Sequence, residues 1–182
     1  MLTDAELVER FKSGGKAVFE ELFSRYQDMV FSIAWSMSGN RELAEDIAQE
    51  AFVKAYLGLS GFRGKSSFKT WLYRIAVNQA LRMRSQSARR TEVEHPMEDL
   101  TLESDGLAPH EMAEVSEKER RVREAIAELP ESQRAVVTLR YLEGLDLAEV
   151  AEVLGTPLGT VKSRIHHALK RISYLLRDWK DV

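Results

Sequence analysis

The stretch Asp146-Leu147-Ala148-Glu149-Val150-Ala151-Glu152-Val153-Leu154-Gly155-Thr156-Pro157-Leu158-Gly159-Thr160-Val161-Lys162-Ser163-Arg164-Ile165-His166 reads as a short helix, a tight turn and the start of a longer helix. Asp146 and Glu149 have the spacing of a capping box, opening a helix expected to bury Leu147, Val150, Ala151 and Leu154. Gly155 suits a left-handed residue and Pro157 the first turn of a helix that is expected to run to about Asp178. At ~100° per residue, Val161, Ile165, Ala168 and Ile172 share one side of that helix, with Gly159, Lys162, Ser163, His166 and Lys170 opposite. These are the parts of a helix-turn-helix, whose second helix lies in the major groove of DNA. The outer face supplies donors for base edges, and Arg164 and Arg171 at its flank suit phosphates; the alternative is a solvated surface helix. His166 and His167 point about 100° apart with no third ligand at useful spacing, so no metal site is expected.

Upstream, Ser116 and Glu119 form a capping box before Val122 and Ile126, Leu129-Pro130 closes that helix, and another runs from about Glu131 to Glu143 before Gly144. Further back the composition changes. Thr91 to Glu117 holds nine acids and no Lys or Arg, and Thr91 to Pro109 mixes acids with Ser, Gly and Pro without apolar periodicity. Residues 91–117 are therefore expected to be a flexible acidic linker between an N-terminal domain, 1–90, and a C-terminal domain, 118–182.

The N-terminal segment is also helical in pattern. Val18, Leu22, Tyr26, Met29, Val30, Ile33 and Met37 recur at steps of three and four up to Gly39. Asn40 can cap a second helix with a stripe of Leu43, Ile47, Ala51 and Ala55, opposite Glu45, Asp46, Gln49 and Glu50. A third begins near Ser66 or Ser67 and is expected to bury Phe68, Leu72, Ile75 and Gln79 or its neighbours. Strand-like alternation never appears, so the fold class is all-α, two small helical domains with a helix-turn-helix in the second.

Across 182 residues, 44% apolar and 30% charged, the chain can bury a core, and no apolar run approaches a bilayer span. The absence of cysteine excludes disulfides and Cys-ligated zinc and favours a reducing compartment, and the acidic N-terminus shows no secretory signal, so the cytoplasm is expected. The net charge of -3 conceals a block from Arg63 to Arg90 with eight bases and no acid, and a second basic block from Leu158 to Arg177. Two cationic surfaces on an acidic protein suit two contacts with a polyanion, or two solvated helix faces.

In the first basic block Phe62, Arg63, Gly64 and Lys65 precede Phe68, Trp71 and Tyr73. Trp71, Arg74, Asn78 and Arg82 fall within about 80° of one another on the helix. Aromatic rings stack unpaired bases, arginines track phosphates and an amide reads a base edge, so the stripe suits single strands; a Trp beside a buried stripe is more often core than a stacking platform, and core is the favoured reading of Trp71.

Asp46-x-x-Gln49-Glu50-x-Phe52, Phe62-Arg63-Gly64, Trp71-Leu72-Tyr73-Arg74-Ile75-Ala76-Val77-Asn78, Leu129-Pro130 and Gly159-Thr160-Val161-Lys162-Ser163-Arg164 together resemble the motifs of extracytoplasmic-function (ECF) sigma factors, in order along nearly the whole chain. The resemblance implies a protein without an enzymatic site, cofactor or small-molecule substrate, which directs bacterial RNA polymerase core to promoters. It assigns Asp46, Gln49 and Glu50 to the polymerase clamp helices. Phe62, Arg63, Lys65, Ser66, Ser67 and Asn78 fall to the melted minus-ten element, beside Trp71 and Arg74 of the stripe. Lys162, Ser163 and His166, with Arg140, fall to the duplex minus-thirty-five element, flanked by Arg164, Lys170 and Arg171. The acidic linker is assigned to the polymerase interior.

Two departures stand out. His166 occupies a variable position, and Asp146-Leu147 replaces the more usual hydroxyl-aromatic pair, although aspartate caps a helix as well. The chain ends soon after Trp179, so no built-in sensor is expected and regulation falls to a separate partner, for the family usually an anti-sigma factor. Three other readings compete. A stand-alone duplex-binding regulator leaves the Asp46 and Asn78 constellations unexplained, an enzyme lacks a recognisable nucleophile, phosphate loop or carboxylate pair, and the third is a structural helical adaptor.

Overall fold

The computed structural model describes residues 1–94 and 117–177, among which there are helices and turns but no strand. Helix α1 (Asp4–Lys12) starts with a capping box. Thr3 Oγ1 accepts from the Glu6 amide at 3.3 Å, and the Glu6 carboxylate accepts from the Thr3 amide at 2.7 Å. It buries Leu7, Val8 and Phe11. This helix lies outside the expectations above, although Thr3 and Glu6 carry its start signal.

After a 3₁₀ turn, α2 (Phe19–Ser38) buries Leu22, Val30, Ile33, Ala34 and Met37 and ends at Gly39, whose φ of 70° a side chain would strain. Asn40 caps α3 (Arg41–Leu59), its side chain accepting from the Leu43 amide at 2.8 Å. Ala44, Ile47, Ala51 and Ala55 are buried, and these mostly small side chains let α3 lie close against α2 and α4.

Ser67 Oγ accepts from the Thr70 amide at 3.0 Å, at the start of α4 (Phe68–Glu94). This helix buries Phe68, Leu72, Tyr73, Ala76, Val77, Gln79 and Ala80, whereas Ile75 is half-buried. The buried arc exceeds a single stripe because α4 packs on α2 and α3 and also on α7. Thr91 to Glu94, expected in the linker, continue α4, since no glycine or proline interrupts the chain before Pro96. The rest of the expected acidic linker up to Ser116, including that capping residue, lies outside the described residues. Glu117, expected to be its last residue, instead opens α5 (Glu117–Ala127), where its carboxylate pairs with Arg120 and Arg121.

After Leu129-Pro130, α6 (Glu131–Val137) widens into a π turn over Thr138–Leu142 before Gly144. This widening was not expected, and by adding backbone per turn it re-aims every side chain beyond it. Helix α7 (Leu147–Leu154) has the expected box: Asp146 accepts from the Ala148 and Glu149 amides at 2.7 and 2.8 Å, and Glu149 accepts from the Asp146 amide at 2.8 Å. Val153 joins Val150 as fully buried, leaving Leu147, Ala151 and Leu154 partly covered. Gly155 adopts φ 60°, and Pro157 stands just before α8 (Leu158–Leu175), which ends short of the expected Asp178, a residue outside those described.

The two helical units share one core. It runs from Leu7, Ile33 and Leu72 in the first to Val136, Leu139, Val150 and Val161 in the second. A smaller cluster of Ile126, Leu129, Val137 and Ala168 ties α5 to α6 and α8.

Candidate nucleic-acid and protein interfaces

Helix α8 presents the two faces its spacing predicts. Val161, Ile165 and Ala168 are buried with Ile172 half-covered, while Gly159, Lys162, Ser163, His166 and Lys170 are exposed. Arg171 is exposed and Arg164 half-buried at the flank. Arg140, in the π turn, donates from Nη1 to Leu145 O at 2.8 Å, which ties it to the loop before α7. The turn between α7 and α8 is held by the Thr156 amide donating to Ala151 O at 3.1 Å. A rigid, cationic outer face set off by a fixed turn can enter a major groove.

The second cationic surface stands on an aromatic footing. Phe62 is half-buried against Trp71, with ring centroids 5.1 Å apart, and Phe68 lies 5.8 Å from Trp71. Gly58 on α3 comes so near that a Cβ there would meet the Trp71 ring at 3.2 Å. Trp71 is thus wedged between α3 and the loop, half-buried, and supports that loop. Gly64, at φ 66°, turns the chain so that Arg63, Lys65 and Ser67 are exposed and Ser66 is half-covered. Along α4, Asn78 and Arg82 are exposed beside this loop's helix. Arg74 is engaged elsewhere, its Nη2 donating to Glu152 O on α7 at 2.6 Å.

The third surface belongs to α3. Asp46 and Gln49 are exposed, and Glu50 is half-buried with its carboxylate 3.9 Å from Lys54 Nζ. Gln49 also lines a groove of about 650 Å³ between α2 and α3, floored by Phe23, Phe31, Phe52, Val53 and Tyr56. Phe23, Val53 and Tyr56 are 43%, 46% and 40% exposed, high for such side chains. An apolar groove with an acidic border fits an amphipathic helix carrying basic residues. Sequence reasoning found the acidic border and missed the groove. Phe23, Val53 and Tyr56, apolar yet off the buried stripes, were its signal.

Two side chains that sequence reasoning passed over organise these surfaces. Arg134 is 1% exposed and donates to Ile126 O at 3.2 Å, Leu129 O at 3.1 Å, Ala127 O and, across to α2, Met37 O at 2.7 Å. No carboxylate pairs with it among these contacts. The negative ends of two helices, α5 and α2, offset the buried charge instead. Glu143 accepts from Ser32 Oγ at 2.8 Å and from Tyr73 Oη at 3.2 Å. Burial, with the Glu143 carboxylate adding to it, pushes the Tyr73 phenol above its ordinary range, so it remains a donor.

Comparison with known proteins matches residues 22–90 to Sigma-70 region 2 and residues 119–172 to Sigma-70, region 4. The chain is 40% identical to the ECF RNA polymerase sigma-E factor of Haemophilus influenzae, with 94% of each chain covered. It is 34% identical to the ECF RNA polymerase sigma factor SigW of Bacillus subtilis, over 94% of this chain and 95% of that one. The structure of the sigma factor RpoE of Bartonella quintana, in complex with the anti-sigma factor NepR, superposes with a TM-score of 0.71 at 26% identity, covering 87% of this chain and 96% of that one. Matched in both regions and along nearly its whole length, the chain belongs to the ECF sigma factors, which direct RNA polymerase to specific promoters.

Proposed function

We propose that the three surfaces divide the work of initiation, the α3 face binding polymerase core, the Phe62–Ser67 loop with Asn78 holding the melted minus-ten strand, and the outer face of α8 reading the minus-thirty-five duplex. The observation that carries this is the exposure of Lys162, Ser163 and His166 opposite a fully packed inner face. Gln49, with Glu45 and Asp28, borders an apolar groove that suits a helical partner, and Asp46 and Glu50 lie beside Gln49 in a neighbouring cleft. Trp71 supports the minus-ten loop from beneath, and Arg74 reaches that strand only after leaving Glu152. Arg140, Arg164, Lys170 and Arg171 flank the reading face and suit phosphates. The chain supplies recognition, not bond-making chemistry, and acts in the cytoplasm under an anti-sigma factor. Residues 1–90 and 118–182 act as its two binding domains. Transcription in vitro with purified core polymerase and genomic fragments tests the whole reading. Core enzyme that initiates no better with the chain than without it would refute it.

Lys162→Ala should weaken promoter binding by about 1–3 kcal/mol if Lys162 reads a base, and should relax preference at one position only. Selection of a promoter library with parent and variant measures this. A loss uniform across sequences would make Lys162 a phosphate contact.

Asn78→Ala should impair melting more than duplex docking, because a contact made only to an unstacked base favours the open complex alone. The loss of one such hydrogen bond is worth about 1–3 kcal/mol, roughly five- to hundredfold in open complex. Permanganate footprinting on duplex and pre-melted templates compares the two states. A variant that opened duplex promoters as readily as the parent would leave Asn78 without a role in melting.

A further inference from the structure

We infer that the surface for the melted strand extends past the Phe62–Ser67 loop onto the turn between α1 and α2, where the Lys16 ammonium holds a phosphate of that strand; this rests on the single-strand reading of the loop above. Lys16 opens the 3₁₀ turn Lys16–Val18. Its Nζ donates to Ser60 Oγ at 3.2 Å, across 44 positions of sequence, and lies 3.8 Å from the centroid of the Phe11 ring. Both footings are fixed. Phe11 is fully buried, with Phe19 and Tyr56 packed on it at centroid distances of 5.9 and 5.2 Å. Ser60 follows the last residue of α3, and the next two amides are tied back to that helix, Gly61 to Gly58 O at 3.0 Å and Phe62 to Leu59 O at 3.1 Å. The ammonium is therefore pinned at the root of the loop. Ser60 stands at most about 7 Å of chain from Phe62, or two nucleotide steps at ~3.4 Å each.

Neither footing neutralises the charge. A hydroxyl and an aromatic ring are uncharged, and Lys16 has no ion pair among the described residues, whereas Lys12 in the preceding turn is paired with Glu9 at 2.9 Å. Lys16 is exposed, and Gly14, Gly15, Ser60 and Gly61 beside it are exposed too and carry little or no side chain, so an extended strand can lie against it. Arg63 and Lys65, just past Phe62 in the chain, are exposed and continue the positive charge, and no acid falls between Ser60 and Arg90. A positive track for phosphates beside an aromatic ring for a base is the pattern that holds a single strand. An ammonium is a compact, strongly hydrated charge, which suits a phosphate better than the planar edge of a base. Such a contact carries no sequence information, so Lys16 adds affinity and position to the melted strand and no base preference.

The test uses holoenzyme, polymerase core with the full chain, and a labelled pre-melted template of a promoter recovered from the library above. For the parent, log affinity falls with log salt concentration by about 0.7 for each single-strand phosphate neutralised. Lys16→Ala should bind more weakly, with a slope shallower by about 0.7, so that its deficit shrinks about 2.5-fold between ~50 and ~200 mM salt. Lys16→Arg keeps the charge and should keep the parental slope. Lys16→Gln, which drops the charge and keeps a donor for Ser60, should match Lys16→Ala, and it decides the matter if Lys16→Ala melts early by circular dichroism. An unchanged slope in the folded variants overturns the inference. So does weaker binding of these variants to core without DNA, which would give Lys16 to an acidic segment of polymerase. Lys65→Ala, within the loop, is measured on the same template. A slope made shallower by Lys65→Ala and not by Lys16→Ala overturns the extension alone, whereas slopes that both variants leave at the parental value overturn the reading of the loop with it.

Discussion

Arg134→Ala should destabilise the protein by about 3–5 kcal/mol, the largest stability loss expected of any single truncation of a polar side chain here. The guanidinium is 1% exposed and serves four backbone carbonyls, three at the end of α5 and one at the end of α2. Its removal strands acceptors that water reaches poorly, at about 1–3 kcal/mol for each that stays buried. For a chain of this size the loss corresponds to a melting point lower by roughly 10 °C. Arg134→Met keeps an apolar stem of similar length but no donor, so it should recover less than half of the loss. Urea unfolding followed by circular dichroism measures both variants. An Arg134→Ala protein within about 1 kcal/mol of the parent would show that water satisfies these carbonyls as well as the guanidinium does.

Asp46→Arg combined with Gln49→Ala should weaken binding to polymerase core by about 2–4 kcal/mol, roughly thirty- to a thousandfold in Kd, while stability stays within about 0.5 kcal/mol. Both side chains are exposed, opposite the stripe of Ala44, Ile47, Ala51 and Ala55 that packs α3 into the core, so the fold does not depend on them. Their worth to a partner comes from position. Gln49 lies on the wall of the apolar groove, so a partner helix seated on Phe23, Phe52 and Tyr56 would bring its charges against this border. Asp46, three residues before Gln49 on the same face of α3, lies beside that border, and a reversed charge there repels what the native one attracts. Titration of labelled protein with purified core polymerase measures the change, and an unaltered Kd would remove the acidic face from the interface.

Local signals were legible wherever neighbours in the chain make the structure. The Asn40 cap, the Asp146 and Glu149 box, the left-handed Gly155 and the two faces of α8 each depend on residues within one or two turns, so spacing alone determined them. The family motifs were equally legible, because they are strings of residues. Periodicity shows that a face is buried but not what buries it. The wide buried arc of α4 follows from α7 packing on it, and no pattern within residues 68–94 announces that second neighbour. Arg134 and Glu143 are charged residues that composition assigns to solvent. Their partners, Met37 and Ser32, lie 97 and 111 positions away, and only closure of the two units brings a helix end and a hydroxyl within reach. The sequence by itself determined helices α2, α3, α4, α7 and α8, the Asn40 and Asp146 caps and the outward faces of α3 and α8. The tertiary structure alone decided that the two units share a core, that a buried arginine joins two helix ends, and that an apolar groove lies beside the acidic face. These are contacts between segments remote in the chain, whose free energy depends on a geometry that no local pattern encodes.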